Sequence, residues 1–322
     1  GKMDAYVTAE AGASCASPEN VATSDPTIIK PYWDFAAGGA LADRYFQPVV
    51  GQSSSNDMYL ARAHFVFLDN AYSGQGAVGT GCNADPPGIQ YTDTTIGDLL
   101  TGASVPWAWF ADGYQAMKDA NGSCPPKPAE CAFPFAFYPC AFDSGDVPFE
   151  YYKSTVDNPA NMKDTSALDA ALKSGTGLPA VSFVKAIGYK SEHPGHNITL
   201  SAGVSWASDL INRIEGSAYA PSTLVLLTYD EGGGYFDHVT PPGVSPIDNE
   251  PYGTRIPLLA VGPFARKNYV SHVVMEHSSI VKFLEWNFLG GATGQLGTRD
   301  TVVNNLGSML DPNATGVTVP EN

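Results

Sequence analysis

Thr228-Tyr229-Asp230-Glu231-Gly232-Gly233-Gly234-Tyr235-Phe236-Asp237-His238 is the stretch that decides how the rest of the chain reads. The apolar run Ser222 to Leu227 precedes it and predicts a buried strand. That run stops at two adjacent carboxylates. Three glycines follow, which permit a sharp turn and close backbone approach. Carboxylates on such a turn, at the end of a central strand, lie where open α/β sheets bind ligands. An Asp-Glu pair alone would read as an acidic loop tip. The glycines and Asp237-His238 move the reading towards a site.

Outward from this stretch, helices and strands alternate from Thr165 onward. Thr165 to Lys173 predicts a helix stopped by Gly175, and Leu178 to Val184 a strand. Val204, Ala207, Ile211 and Ile214 form a helical stripe that closes near Gly216. Ile256 to Val261 predicts a further strand. A helix follows with Ile280, Phe283, Leu284 and Phe288 on one face and Ser278 as its N-cap. The fold class expected is α/β, with a mostly parallel central sheet and helices on both faces. Upstream, Ala36 to Arg44 predicts a short helix feeding a strand. Tyr45 to Val50 leads into Gly51-Gln52-Ser53-Ser54-Ser55-Asn56-Asp57, and a helix from Met58 follows. Strand, glycine turn with a hydroxyl, then helix suits an exposed nucleophile, and the helix N-terminus favours phosphate. Thr94 to Leu100 reads as a helix and Val105 to Phe110 as a strand. Residues 114–158 are rich in Pro, Cys and aromatics and read as a loop-rich insertion. The tail after Pro312 reads as a poorly ordered end.

The chain has 322 residues, 43% hydrophobic and 11% aromatic, enough for a sizeable core. A net charge of -16 argues against nucleic acid and against an electrostatic anchor on anionic lipid. An anionic substrate would need local positive charge, such as a bound cation. No apolar run reaches the roughly 18 residues of a transmembrane segment. The five cysteines are Cys15, Cys82, Cys124, Cys131 and Cys140. None forms a Cys-x-x-Cys pair, which argues against zinc. Cys124, Cys131 and Cys140 lie among prolines, so at least one disulfide is expected to close a short loop among them. Disulfides, with glycosylation sequons at Asn121, Asn197 and Asn313, suit a secreted or periplasmic protein.

Thr228 to Pro242 resembles the phosphoesterase family of bacterial and fungal phospholipases C and acid phosphatases, within the alkaline phosphatase-like superfamily. The resemblance covers Gly1 to Leu289, as one domain over 1–322. It implies metal-dependent hydrolysis of phosphate esters or phospholipids. Asp230 and Glu231 are hard oxygen donors for a divalent metal of unspecified identity. In the family's Gly-x-Ser/Thr-x-Pro-Asn segment the hydroxyl is both nucleophile and metal ligand. Gly51, Ser53 and Asn56 match that segment, and Ser55 replaces the proline. The resemblance implies Asn56 and His193 as substrate contacts, with His193 of the His-Pro segment at the phosphoryl group. Asp237 and His238 are expected to orient the ligands. Glu276-His277-Ser278-Ser279 is expected to cap a helix. No cysteine sits in a sulfatase-type motif, which argues against sulfate esters.

The family's opening apolar strand and Glu-Asn-Arg-Ser-Phe-Asp motif have no counterpart here. Gly1 to Val7 resembles a segment that follows that motif. Glu19-Asn20 is preceded by Pro18 and not followed by Arg-Ser-Phe-Asp. The expectation is that upstream residues of a longer polypeptide supply the missing strand, beside Thr223 to Tyr229 or Ile256 to Val261. The rival expectation is a catalytically inactive relative that serves as a binding or surface protein.

Overall fold

The computed structural model describes residues 6–7, 17–83 and 87–321. In chain order these form α1 (Lys30–Gly38), β1 (Ala40–Ala42), α2 (Ser53–Arg62), β2 (Ser73–Gly74), β3 (Gly88–Ile89), α3 (Ile96–Gly102), β4 (Trp107–Ala111) and α4 (Tyr114–Asp119). β5 (Met162–Asp164), α5 (Thr165–Ser174), β6 (Val181–Lys185), α6 (Leu200–Glu215), β7 (Val225–Thr228), β8 (Leu258–Val261), β9 (Tyr269–Ser271), α7 (His277–Phe288) and α8 (Pro312–Thr315) follow. The fold is α/β. Two compact units emerge: described residues of 1–68, 224–283 and 293–322, and of 69–223 and 284–292.

The first unit holds a sheet in the order β7-β8-β1-β9. β7 and β1 each run antiparallel to β8, while β1 and β9 run parallel. The parallel pairing expected from alternation stops here because no helix separates β7 from β8, so no crossover forces a parallel return. β7 pairs with β8 and is half-buried among the described residues, where its apolar run suggested a fully buried strand. β8 starts at Leu258 because Pro257 has no N–H for the ladder. Pro48 has the same effect on Tyr45 to Val50, which makes isolated bridges at Tyr45 and Phe46 and no strand. α1 begins earlier than expected, with Pro31 in its first turn, and ends at Gly39. The C-terminal tail is packed: Val319 is buried and Asn305 N–H donates to the Glu321 carbonyl at 2.6 Å.

In the second unit β5-β4-β6 form an all-parallel sheet. Trp107 to Ala111 is buried throughout, as a strand covered on both faces must be. Phe110 and Ala108 pack with Leu168, Leu172 and Leu210 of α5 and α6. α5 ends on Gly175, whose φ of 71° is left-handed, as its sequence implies. The loop-rich stretch 114–158 also contributes to the core of this unit. Phe149 is fully buried and its ring lies 4.6 Å from Trp107 and 5.5 Å from Phe183. Disulfides join Cys131 to Cys140, closing the short loop expected, and Cys82 to Cys124. Cys15 lies outside the described residues. No helix among the described residues is long and apolar enough to cross a membrane.

The second unit also buries Glu150 against the half-buried Asp157. Glu150 Oε2 accepts from Asp157 N–H at 2.9 Å, and Asp157 accepts from Val78 N–H and the Tyr114 hydroxyl. Glu150 Oε1 is buried without a hydrogen-bond partner. Burial, then the Asp157 charge, pushes the Glu150 pKa well above its ordinary value. The stability this proton gives is fully present below 4.5 and is lost as pH rises through the raised folded value. Glu150→Gln should therefore raise the thermal midpoint at neutral pH and flatten its fall from mildly acidic to neutral pH. Scanning calorimetry across that range checks this; a variant no more stable than wild type at neutral pH would refute it.

Candidate active site

Ser53 is the first residue of α2, five positions earlier than the sequence suggested. The cap residue Gln52 makes no side-chain capping bond. Gly51 sits where a Cβ would collide with the Ser55 hydroxyl and the Leu68 carbonyl, so the tight approach requires glycine. Of the three serines, Ser53 has the most solvent access at 8%, against 1% for Ser54 and 0% for Ser55. The Ser55 hydroxyl donates to the Gln52 carbonyl at 2.6 Å. Asn56 is fully buried. Its Oδ1 accepts from Val49 N–H at 3.1 Å, and its Nδ2 donates to the Gly51 and Gln52 carbonyls. The structure thus places Asn56 as the brace of the Ser53 turn, where the sequence suggested a substrate contact.

The Asp230-Glu231 turn belongs to the same unit. Asp230 Oδ1 accepts from Glu231 N–H at 2.9 Å, and Glu231 Oε2 accepts from Gly233 N–H at 2.6 Å. Two residues the sequence reading missed hold this turn. Gln47, almost fully buried, accepts through Oε1 from Gly232 N–H at 2.8 Å and from the Thr254 hydroxyl at 3.0 Å. Its Nε2 donates to the Val49 carbonyl at 2.8 Å, beside the Asn56 brace. Gly232 is packed so closely that a Cβ would meet Thr254 Oγ1. A lone amide inside the run Tyr45-Phe46-Gln47-Pro48-Val49-Val50 was the available signal, since a buried polar group needs partners.

The second is His277, fully buried at the start of α7. Its Nε2 lies 2.8 Å from the Asp230 carbonyl oxygen and its Nδ1 2.7 Å from the Tyr45 hydroxyl. A carbonyl only accepts, so Nε2 carries the hydrogen and Nδ1 accepts from Tyr45. Burial, then the Glu276 charge, pushes the Tyr45 pKa well up and keeps that hydroxyl protonated as a donor. Capping of α7 falls to Glu276 in place of Ser278. Glu276 Oε2 accepts from Ser278 N–H at 2.6 Å, and Ser279 Oγ accepts from Glu276 N–H at 3.1 Å.

Asp237 makes a two-point ion pair with Arg255, at 2.8 and 3.1 Å, and accepts from Val239 N–H. Arg255 in turn donates to the Asp43 carbonyl. Asp237 therefore anchors the far side of the turn to the β8 approach. The His238 side chain is 79% exposed, with Nδ1 3.8 Å from Asp237 Oδ1. His193 belongs to the second unit. Its backbone N–H donates to Ser191 Oγ, and its ring lies edge-on to Tyr138 at 6.1 Å and 5.5 Å from the His196 ring.

The sequence matches the model of the Phosphoesterase family over residues 1–289. A non-hemolytic phospholipase C of Pseudomonas aeruginosa is 27% identical over 232 residues, which are 62% of this chain and 30% of that protein. Phospholipase C A of Mycobacterium tuberculosis is 29% identical over 163 residues, 43% of this chain and 31% of that protein. The matches therefore span less than a third of the length of these relatives. Among solved structures, a protein in the alkaline phosphatase superfamily from Vibrio parahaemolyticus aligns with 87% of this chain and 65% of its own. Its sequence identity is 12% and the TM-score 0.49.

Gln47 links the Ser53 turn to the acidic turn. Gln47→Met keeps the volume and removes the bonds to Gly232 and Thr254, leaving buried polar groups at a cost of about 1–3 kcal/mol each. Amide hydrogen exchange should accelerate at Gly232 and Gly233 and stay unchanged in the β4-β5-β6 sheet. Unaltered protection at Gly232 would show that the turn does not depend on this amide.

Proposed function

The chain belongs to the phosphoesterase family, and on that premise we propose that it hydrolyses phosphoric esters with Ser53 as nucleophile and the Asp230-Glu231 turn as the seat of a divalent cation. The observation that carries the reading is the Ser53 hydroxyl at the first turn of α2, behind an obligatory glycine, with Gln47 and Asn56 joining that turn to the acidic one. Residues 1–322 are proposed to be one phosphoesterase domain, since the matched residues run through both units.

Asp230 and Glu231 offer hard carboxylate oxygens, which fit a hard divalent cation. No group of three His, Cys, Asp or Glu side chains suited to a metal occurs among the described residues. The Ser53 hydroxyl and oxygens of phosphate or water would complete the donor set. Bound there, the cation supplies positive charge for the phosphoryl oxygens and lowers the pKa of a coordinated hydroxyl. Ser53 Oγ would pass its proton to solvent water and form a bond to phosphorus while the bond to the ester oxygen breaks. The leaving alkoxide takes a proton, a role proposed for His193 on the resemblance of its His-Pro segment. Water then cleaves the phosphoserine, returning the proton to Ser53 and releasing phosphate or a phosphomonoester. The relatives' names support phospholipid as the ester. Two disulfides support a secreted or periplasmic setting.

Ser53→Ala should lower kcat by at least about a thousandfold on a phosphomonoester, a phosphodiester or phosphatidylcholine, whichever the wild type turns over. Ser54→Ala should stay within about tenfold of wild type. Retained turnover in Ser53→Ala, with loss in Ser54→Ala, would move the nucleophile. Elemental analysis of dialysed protein tests the cation separately. Asp230→Asn and Glu231→Gln should each hold less metal than wild type. Equal metal in all three would remove the acidic turn from the site, and a wild type without metal or turnover would establish the inactive-relative reading.

A further inference from the structure

The Cys131–Cys140 disulfide closes the loop Cys131-Ala132-Phe133-Pro134-Phe135-Ala136-Phe137-Tyr138-Pro139-Cys140. No charged side chain lies within it. Both cysteines are buried, yet Phe135 is 53% exposed and Phe137 40% exposed. The two rings stack in parallel, 5.1 Å apart and 8° from coplanar, with Phe133 edge-on to both. The base of the loop is held firmly. Tyr138 N–H donates to Asn83 Oδ1, Cys140 N–H to the Phe137 carbonyl, and Tyr189 N–H to the Pro139 carbonyl. Exposed aromatics on a rigid, neutral loop lie ready for an apolar partner and lose little chain entropy on meeting it.

We propose that this loop is an interfacial anchor that places Phe135 and Phe137 in the headgroup–acyl boundary of a zwitterionic phospholipid surface. Aromatic rings are favoured at that depth, and the loop brings no charge that the boundary would reject. Zwitterionic lipid is specified because a net charge of -16 repels an anionic surface. A second copy of the chain fits less well. A loop of this length presents far less than the roughly 800 Å² a side that a stable dimer needs. Tyr138 of the loop has its ring centroid 6.1 Å from that of His193, the proposed phosphoryl histidine. The anchor thus deepens the phosphoesterase reading, resting on it only for the consequence that anchored lipid lies beside His193.

Flotation of the full chain with phosphatidylcholine vesicles, under chelator to stop turnover, reads the anchor independently of catalysis. Wild type should float, and the Phe135→Ser/Phe137→Ser double variant should partition about tenfold less or weaker still. Its melting midpoint and its turnover of a monomeric water-soluble ester should match wild type. Phe135→Trp should retain binding and show added fluorescence that brominated acyl chains quench. Equal flotation of wild type and double variant, or added indole fluorescence immune to brominated lipid, would overturn the anchor. So would a wild-type dimer in sedimentation that the double variant loses, or loss of soluble-ester turnover in that variant. Flotation without turnover of any ester would sink the phosphoesterase reading and leave the anchor supported.

Discussion

The first unit depends on one buried guanidinium. Arg299 has no solvent exposure, and it lies between the rings of Tyr59 and Tyr252, 4.5 and 4.7 Å from their centroids. Asp248 accepts two of its N–H groups at 2.8 Å, the Pro48 carbonyl accepts a third, and Glu276 stands 3.8 Å away. Burial works against a charged Asp248, but the bonds from Arg299 outweigh it and hold that carboxyl below its usual pKa. At Glu276 the balance reverses: burial pushes the pKa up more than Arg299 pulls it down. Removing one partner of such a buried pair costs about 3–5 kcal/mol, because a charge is left without compensation. The cluster joins α2 through Tyr59, the Ser53 approach through Pro48, and the start of α7 through Glu276. The helix that presents Ser53 and the histidine that holds Asp230 are therefore set by the same cation.

From that cluster the geometry passes outward through neutral amides. Gln47 and Asn56 carry no charge, yet between them they bind the carbonyls or N–H groups of Val49, Gly51, Gln52 and Gly232. A buried side-chain amide satisfies both donors and acceptors in one plane, which suits it to joining two irregular turns. This explains why so much of the region around Ser53 lacks regular ladder bonds without being loose. The turns are irregular in φ and ψ and regular in their hydrogen-bond accounting.

Much of this was legible in the sequence. The α/β class, α5 with its Gly175 stop, α6, and the strands near Trp107, Val181 and Val225 follow from periodicity and glycine placement. That a disulfide closes a short loop among Cys124, Cys131 and Cys140 follows from spacing, whereas the pairing Cys131–Cys140 does not. What escaped depended on partners distant in the chain. An apolar run does not say what will cover it, so β7 read as fully buried when it is half-buried among the described residues. Pro48 and Pro257 shorten strands by removing one N–H each, an effect visible in sequence but underweighted against apolar content. Gln47 and His277 could not be placed because their bonds reach 185 and 47 residues along the chain. Asn56 matched a motif, and the motif does not say whether its amide faces a ligand or the turn behind it.

The acidic turn is braced by a glutamine amide, an imidazole N–H on a backbone carbonyl, and the N–H groups of Glu231 and Gly233. Directional bonds of this kind fix the path of the turn. Arg255 is bound to Asp237 and the Asp43 carbonyl. Arg255 thus rigidifies the distal end of the turn while Asp237 takes up its charge. A chain with a net charge of -16 that meets neutral lipid through phenylalanines, and phosphate through a captured cation, would need no basic surface for either. Were a cation held there, affinity for the phosphoryl group and occupancy by the metal would be linked as a single equilibrium.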